Sequence, residues 1–482
     1  MGEPIFDSGE PPFADRGLSR LWLADETDCV RSLLRQAEAD DAASDRIVTR
    51  ATKLVEQVRA ARAHRGGIET LIQEYDLSSE EGVVLMCVAE ALLRIPDAGT
   101  ADRLIADKLA EGDWAAHRGA SDSLLVNTST WGLMLTGRIV ALEESTRNDP
   151  VAFIRRMIAR AGEPVIRTVV RQAMRILAHQ FVMGATIEQA LDRARSAEHA
   201  RYRHSYDMLG EAALTARDAQ RYFEAYAHAI AAIGATVPPG GSVFDAPGIS
   251  VKLSALHPRY EFAQRRRVHA ELVPRLLQLA RQARDRGIAL TVDAEEADRL
   301  DISLDVIEAV YRSPALEGWE GLGLAVQAYQ KRAVTLINWL IALARQGGRR
   351  IPLRLVKGAY WDTEIKRAQE HGLDGYPVFT RKASTDASYL ACARRLLAAR
   401  DAVFPQFATH NAHTLASILE MAGELRDFEF QRLHGMGMEL YAQMDHPCRV
   451  YAPVGSHEEL LPYLVRRLLE NGANSSFVNR IS

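Results

Sequence analysis

Apolar and polar positions change their period once along this chain, near residue 200. From Leu18 to about Val140, apolar residues recur every three or four positions, as in DRIVTRATKLVEQVRAAR and SSEEGVVLMCVAEALLRI, which predicts helices. Ser78, Ser79, Glu80 and Glu81 form a helix-start pattern, with serine caps followed by acids in the first turn. No strand-like run competes in this stretch. The polar segment EESTRNDP (143–150) predicts a boundary, and two more helical runs follow near 150–162 and 164–197. After Arg201, short β-rich runs alternate with helical runs of twelve or more residues, the pattern of βα units and a parallel sheet.

Eight β candidates can be counted: HSYDML (204–209), GISVKLSAL (248–256), ALTVDAEE (289–296), GLGLAVQAY (321–329), PLRLVKGAY (352–360), FPQFATHN (404–411), FEFQRLHGM (428–436) and CRVYAPVG (448–455). Eight parallel strands with helical crossovers predict an α/β fold, a (β/α)8 TIM-like barrel of about 250 residues. The expected organisation is an N-terminal tail and helical arm (1–60), an all-helical domain (61–198) and the barrel (199–482), with a capping C-terminal helix. The shortest gaps follow the sixth and seventh strands and leave least room for a helix.

Successive strand residues face opposite sides, and the outward face of a barrel meets helices and should be apolar. Ile249, Val251 and Leu253 form one such register, as do Leu290, Val292 and Ala294, and Leu322, Leu324 and Val326. The opposite register then carries polar residues inward: Asp207, Lys252, Asp293, Gln327, Arg354, Gln431 and Tyr451. In FEFQRL, Glu429 shares the inward register with Gln431. Barrel interiors are ordinarily filled by branched apolar side chains, and active sites sit at the C-terminal mouth. A structural ion pair is an equal alternative for any single residue of the set. It is a poor account of all of them together, because unpaired burial of charge is costly.

Composition narrows the classes. The 482 residues are 47% hydrophobic and 25% charged, the balance of a globular protein. With 59 basic and 63 acidic residues the net charge is −4, so no general attraction to nucleic acid or anionic lipid is expected. Cys29, Cys87, Cys392 and Cys448 form no CxxC pair, which predicts free thiols and a reducing compartment. The acidic, Pro-rich start MGEPIFDSGEPPF shows no export signal, so a cytoplasmic location is expected. The apolar run Val334 to Ala344 is too short to span a bilayer and predicts a buried helix.

The segment SHEELLPYLVRRLLENGAN (456–474) predicts a helix with Arg466, Arg467 and Glu470 within one turn of one another. Two arginines suit a carboxylate, although periodicity alone favours a solvated face. In THNAH, His410 and His413 would face opposite ways on a continued strand, so no metal is expected. GLGLAV and GMGMEL lack the glycines of a dinucleotide fingerprint. Lys252 on a barrel strand would also suit a class I aldolase, as a Schiff-base nucleophile. A catalytically inactive scaffold is the remaining rival.

The segments VKLSALHPRY, TVDAEEADRLD, LAVQAYQKRA, RLVKGAYWDTEIKRAQ, GYPVFTRKA, FATHNAHT, FEFQRLHGMG and YLVRRLLENGANSSFVNRI occur in order. Together they resemble the proline dehydrogenase domain of the proline utilization A family, strongly over 201–482 and more weakly over the helical region. The resemblance implies FAD-dependent oxidation of L-proline to Δ1-pyrroline-5-carboxylate, by hydride transfer from C5 to flavin N5. Electrons would pass to a quinone, with peripheral contact on the inner face of the cell membrane. It places Arg354 near flavin N5 and Gln327 against the isoalloxazine ring. Lys357, Gly358, Trp361, Thr380, Lys382, Thr409, His410, Asn411, Gln431 and Leu433 would complete the FAD site. It assigns Lys252, Arg466 and Arg467 to the proline carboxylate, and Asp293, Tyr360, Leu433, Tyr451 and Glu470 to the rest of the substrate pocket. Arg354, Lys252 and Asp293 are the expected catalytic set. The same resemblance reverses the solvated reading of the Arg466 helix, which would cap the barrel mouth.

The family pattern continues into an NAD-dependent aldehyde dehydrogenase domain, which is not found after Ser482. The acidic start offers no basic β-arm of a ribbon-helix-helix domain, so no nucleic-acid partner is expected. In HGMGMEL an acidic residue would be expected directly after the second glycine, where Met438 stands.

Overall fold

The computed structural model describes residues 16–63 and 181–455. The predicted helix at 78–95, the remainder of the helical domain to residue 180 and the helix at 456–474 lie outside the described residues. Residues 16–59 and 182–455 belong to one compact unit.

Eight parallel strands close into a barrel in chain order. They are β1 (Arg203–Met208), β2 (Gly248–Val251), β3 (Ala289–Val292), β4 (Leu322–Gln327), β5 (Ile351–Val356), β6 (Val403–Ala408), β7 (Glu429–Leu433) and β8 (Cys448–Val454). All eight β candidates are therefore strands, and β8 pairs with β1 over six residues to complete the cylinder. Helices follow the strands, including Ala216–Gly234, Arg265–Asp285, Leu300–Tyr311, Ala333–Gly347, Lys382–Leu397 and Ala412–Ala422. After β7 there is room only for Met438–Ala442, as the short gap predicted.

The alternating pattern explains the layering. Ile249, Val251, Leu290, Val292, Leu324, Leu353, Leu355, Phe407 and Phe430 are buried outward against the helices. The helices answer with their own stripes: Val268, Leu272, Leu276, Leu279 and Ala283 recur at three and four on Arg265–Asp285 and are fully buried. Helix Ala216–Gly234 starts at a capping box, where Thr215 and Asp218 satisfy each other's backbone N–H groups.

The strands end earlier than the sequence runs predict. GISVKLSAL was expected as one strand, but β2 stops at Val251 and Leu253–Leu256 forms a helical turn. Lys252 sits at the junction, and its backbone N–H donates to Tyr226 Oη at 3.2 Å. Likewise GAY after β5 and the acids after β3 belong to loops. The local reason is that apolar runs do not encode where interstrand pairing ceases; that is set by the partner strand.

In the N-terminal arm, helix Glu26–Ala37 packs on Lys382–Leu397 outside the barrel, and Ile47 and Ala51 of helix Asp41–Ala63 cluster with Ala416. Helix Ile187–Ala194 lies against β1 and β8. Ahead of it, Met183 N–H donates to Pro453 O and Gly455 N–H to Gly184 O. Among the described residues, Cys29, Cys392 and Cys448 are free thiols, and no helix is long and apolar enough to cross a membrane.

Candidate active site

The inward register becomes a single ionic cluster at the C-terminal mouth. Lys252 Nζ donates to Asp207 Oδ1 at 2.6 Å, to Asp293 Oδ2 at 3.3 Å and to Tyr451 Oη at 3.3 Å. Arg354 Nη1 donates to Asp293 Oδ1 at 2.6 Å, and Tyr451 Oη donates to Asp293 Oδ2 at 2.7 Å. Asp293 thus joins the two cations. The Arg354 guanidinium also lies over the Tyr451 ring, 5.1 Å from its centre. Residues from β1, β5 and β8 meet here with Lys252 and Asp293, each one residue past the end of its strand, β2 and β3, because each inward side chain converges on the barrel axis.

Two acids and two bases balance in formal charge, and each sits almost wholly out of water. Arg354 is 3% exposed, Lys252 6% and Asp207 0%, so the cluster tolerates burial only because its members pair. Burial opposes charge on Lys252, yet Asp207, Tyr451 and Asp293 hold its ammonium well above the ordinary lysine range. Burial likewise opposes charge on Asp293, but Lys252, Arg354 and Tyr451 hold its carboxyl below the usual range. Asp207 differs: burial raises it despite Lys252, and its Oδ2 has no hydrogen-bond partner.

A second group of predicted residues lies along the ends of β4 to β7. Gln327 closes β4, donates to Glu295 O at 3.0 Å and accepts from Gln330 at 2.7 Å. Lys357, just past β5, pairs with Asp386 at 2.5 Å. Gly358 takes φ +142°, and a Cβ there would stand 2.5 Å from the Tyr329 ring, so only glycine fits. Tyr360 and Trp361 are half-buried at the start of helix Trp361–Glu370, and Trp361 Nε1 donates to Phe379 O at 2.8 Å.

Thr409, His410 and Asn411 follow β6. Thr409 Oγ1 accepts from Asn411 N–H, His410 Nε2 accepts from Leu433 N–H at 3.1 Å, and Asn411 caps helix Ala412–Ala422. The strand stops at Ala408, so the alternation argument applied to His410 and His413 does not hold: a helix, not a strand, carries His413. Gln431 and Leu433 lie on β7. Thr380 and Lys382 are exposed at the start of helix Lys382–Leu397, where Thr380 N–H and Oγ1 donate to Glu26 of the arm at 3.0 and 2.9 Å. Arg466, Arg467 and Glu470 lie outside the described residues.

Two serines supplement the predicted set. Arg354 Nη2 donates to Ser205 Oγ at 3.2 Å and Ser250 Oγ at 3.0 Å. Ser250 stood in the polar register of its strand; small hydroxyls carry no charge pattern, so nothing in the sequence marked it or Ser205 as an arginine partner. A cavity of about 750 Å3 opens between helices Glu26–Ala37 and Lys382–Leu397, lined by residues including Leu34, Arg35, Asp386, Leu390, Asn411 and His413.

Comparison with known proteins places this geometry. A model described as "Proline dehydrogenase" matches residues 190–480, and one for the "Proline utilization A proline dehydrogenase N-terminal domain" matches 18–59. A third, the "DNA-binding domain of Proline dehydrogenase", matches 67–181. That match weighs against the expectation of no nucleic-acid partner, and it covers residues outside the description. The chain is 53% identical to the bifunctional protein PutA of Salmonella typhimurium, over 100% of this chain and 38% of that protein. It is 27% identical to proline dehydrogenase 1 of Bacillus subtilis strain 168, over 63% of this chain and 90% of that protein. A crystal structure of a Bradyrhizobium japonicum proline utilization A mutant superposes with TM-score 0.72 at 51% identity, covering 98% of this chain and 47% of that one. A Bdellovibrio bacteriovorus proline utilization A inactivated by N-propargylglycine gives TM-score 0.69 at 25% identity, covering 92% and 43%. The chain therefore spans less than half the length of these proline utilization A proteins. On the barrel, the site and these matches together, the chain belongs to the proline dehydrogenase family, in its proline utilization A branch.

Proposed function

We propose that this chain oxidises L-proline to Δ1-pyrroline-5-carboxylate with a bound FAD and passes the electrons to a quinone. The observation that carries the reading is the buried Lys252–Asp293–Arg354 bridge at the barrel mouth. Proline is a zwitterion, and a site for it must hold a carboxylate and keep water away from the carbon that is oxidised. Lys252 is held charged and offers the carboxylate an ammonium already oriented by Asp207 and Asp293. The family resemblance assigns Arg466 and Arg467 to the same carboxylate and Glu470 to the pocket wall. Tyr360, Tyr451 and Leu433 shape an apolar wall around the ring.

The residues along β4 to β7 suit FAD. Gly358 lets the backbone after β5 pack directly against the Tyr329 ring, which fixes the course of the loop that carries Lys357 and Tyr360. Arg354, Gln327, Lys357, Lys382, Thr409, His410, Asn411 and Gln431 form a donor-rich set suited to a group with several acceptor atoms and negative phosphates. Bound there, FAD supplies the two-electron acceptor that no side chain can be. Arg354 stabilises negative charge in front of it, and Asp293 keeps Arg354 and Lys252 in one fixed geometry. The quinone is reached by peripheral contact with the inner face of the cell membrane from the cytoplasm.

The class I aldolase reading is less well supported. A Schiff-base lysine needs its neutral amine within reach, whereas Asp207 at 2.6 Å holds Lys252 as the cation. One spectrum tests the proposal. Purified protein should be yellow, and anaerobic L-proline should bleach it; a colourless protein, or colour untouched by proline, overturns the reading. Lys252→Met should then raise the proline concentration needed for half-maximal bleaching by about 100-fold, the scale of losing one charge-assisted contact.

A further inference from the structure

Beneath Arg354 the barrel interior holds a second ionic centre that the proposed chemistry does not use. Glu429 is the inward residue at the start of β7, 0% exposed. Its Oε1 accepts from Arg449 Nε at 2.6 Å, Gln406 Nε2 at 2.9 Å and Gln431 Nε2 at 2.9 Å. Its Oε2 accepts from Arg203 and Arg449, each at 3.1 Å. Burial favours the neutral acid, but Arg449, Gln431 and Arg203 hold the carboxyl below its usual range. The group is therefore an acceptor only.

Gln431 is the next inward residue of β7 and joins the two centres. One end of its amide donates to Glu429, and the other, Oε1, accepts from Arg354 Nε at 2.7 Å. A glutamine amide can turn over, exchanging its oxygen and nitrogen at almost no cost in shape. Here it cannot. With Glu429 ionised, only the NH2 end can face down, so the oxygen must face up. Turned over, the amide would set its NH2 against the Arg354 Nε–H and its oxygen against the carboxylate, two repulsions at once in a dry interior.

We propose that Glu429 is a positioning residue for Arg354: by fixing the face of the Gln431 amide, it locks the plane of the guanidinium that Asp293, Ser205 and Ser250 hold from the other side. The relay is Glu429 to Gln431 to Arg354, and it reaches the mouth without Glu429 touching substrate or cofactor. The proposal rests on the assignment of Arg354 to proline oxidation, but its geometry can be tested apart from that assignment.

The experiment compares the parent chain with Glu429→Gln and Gln431→Met. The first readout is the Arg354 Nε–Hε resonance in deuterated, 15N-labelled protein, assigned by its loss in Arg354→Lys. In the parent it should be protected from solvent exchange, and in either variant exchange should quicken about tenfold or more, since a locked buried donor is released. The second readout is anaerobic reduction of the bound flavin by L-proline. The limiting rate should fall about 10- to 100-fold, the effect of a displacement near 1 Å, while half-saturation by proline stays within about threefold. A residue with only a structural role would lower the melting temperature and leave both readouts of the folded protein alone. That result, in a folded Glu429→Gln, overturns the proposal. If Glu429→Gln does not fold, because Arg203 and Arg449 lose their counter-charge, Gln431→Met decides. It leaves the carboxylate its other donors and frees Arg354 Nε; because Gln431 is also assigned to the FAD set, the exchange readout decides for this variant, and parental Arg354 exchange overturns the proposal. If proline does not bleach the parent, the functional reading fails, and the exchange measurement alone decides the relay.

Discussion

Asp293 Oδ1 lies 2.6 Å from Arg354 Nη1, two strands apart across the mouth of the barrel. The same carboxylate takes Lys252 and Tyr451 on its other oxygen, so one side chain bridges two buried cations, with Asp207 as the second counter-charge. Asp293→Ala would leave Arg354 without its carboxylate partner and Lys252 with Asp207 alone. Breaking a buried pair in this way costs about 3–5 kcal/mol. Urea denaturation at neutral pH should show a large loss of stability, together with slower flavin reduction. A midpoint within error of the parent would remove Asp293 from its bridging role.

Gly358 gives a backbone prediction. Its φ of +142° and the Tyr329 ring 2.5 Å from an added Cβ make Gly358→Ala strained twice over. Such strain costs on the order of 1–3 kcal/mol. The loop after β5 should shift, and purified Gly358→Ala should carry less flavin per chain by its visible-to-ultraviolet absorbance ratio. Full flavin content would show that this loop does not border the cofactor.

The arm is tied to the barrel by Glu26, which accepts from both Thr380 N–H and Thr380 Oγ1. Thr380 is exposed and Glu26 half-buried, so the contact is modest. In Glu26→Gln, proteolytic cleavage within the arm should quicken about fivefold, the equivalent of ~1 kcal/mol. Unchanged cleavage would mean that apolar packing of the arm helix carries its docking.

Three histidines, His199, His204 and His434, are buried together outside β1, β7 and β8, with ring centres 5.4 Å (His199–His434) and 6.4 Å (His199–His204) apart. Burial, then the neighbouring His199, Arg432 and Arg449, lowers His204 to about 3; burial, with Arg193, His199, Arg432 and His204, lowers His434 to about 2. Depressed in the folded state, His204 contributes stability that is complete above the unfolded value near 6.5 and is lost as pH falls from there toward about 3, and His434 likewise toward about 2. The loss is about 1.4 kcal/mol per pH unit for each group. In His204→Leu, the plot of urea midpoint against pH between 6.5 and 4 should be shallower by about one group. An identical slope would show that this histidine charges without unfolding.

Much of the barrel could be read from strand alternation. Ile249, Val251, Leu290 and Val292 announce an outward apolar face, and that leaves Asp207, Lys252, Asp293, Gln327, Arg354, Gln431 and Tyr451 facing in. The number and order of strands followed from the spacing of such runs. Strand ends did not, because Lys252 and Ser254 continue the alternation of GISVKLS after pairing with β3 has stopped at Val251. Ser205 and Ser250 carried no signal as arginine partners, and Glu429 stood in the inward register without any indication of what it held.

The amino-acid sequence alone determined which side chains face the barrel axis, because a two-residue period and an apolar outer surface leave no other arrangement. Only the tertiary structure decided which of them meet. Asp293 with Arg354, Lys252 with Asp207, and Glu429 with Gln431 and Arg449 are pairings set by closure of β8 on β1 and by the stagger of adjacent strands. A charge on one strand finds its partner through the geometry of the closed cylinder, which no local stretch of sequence encodes.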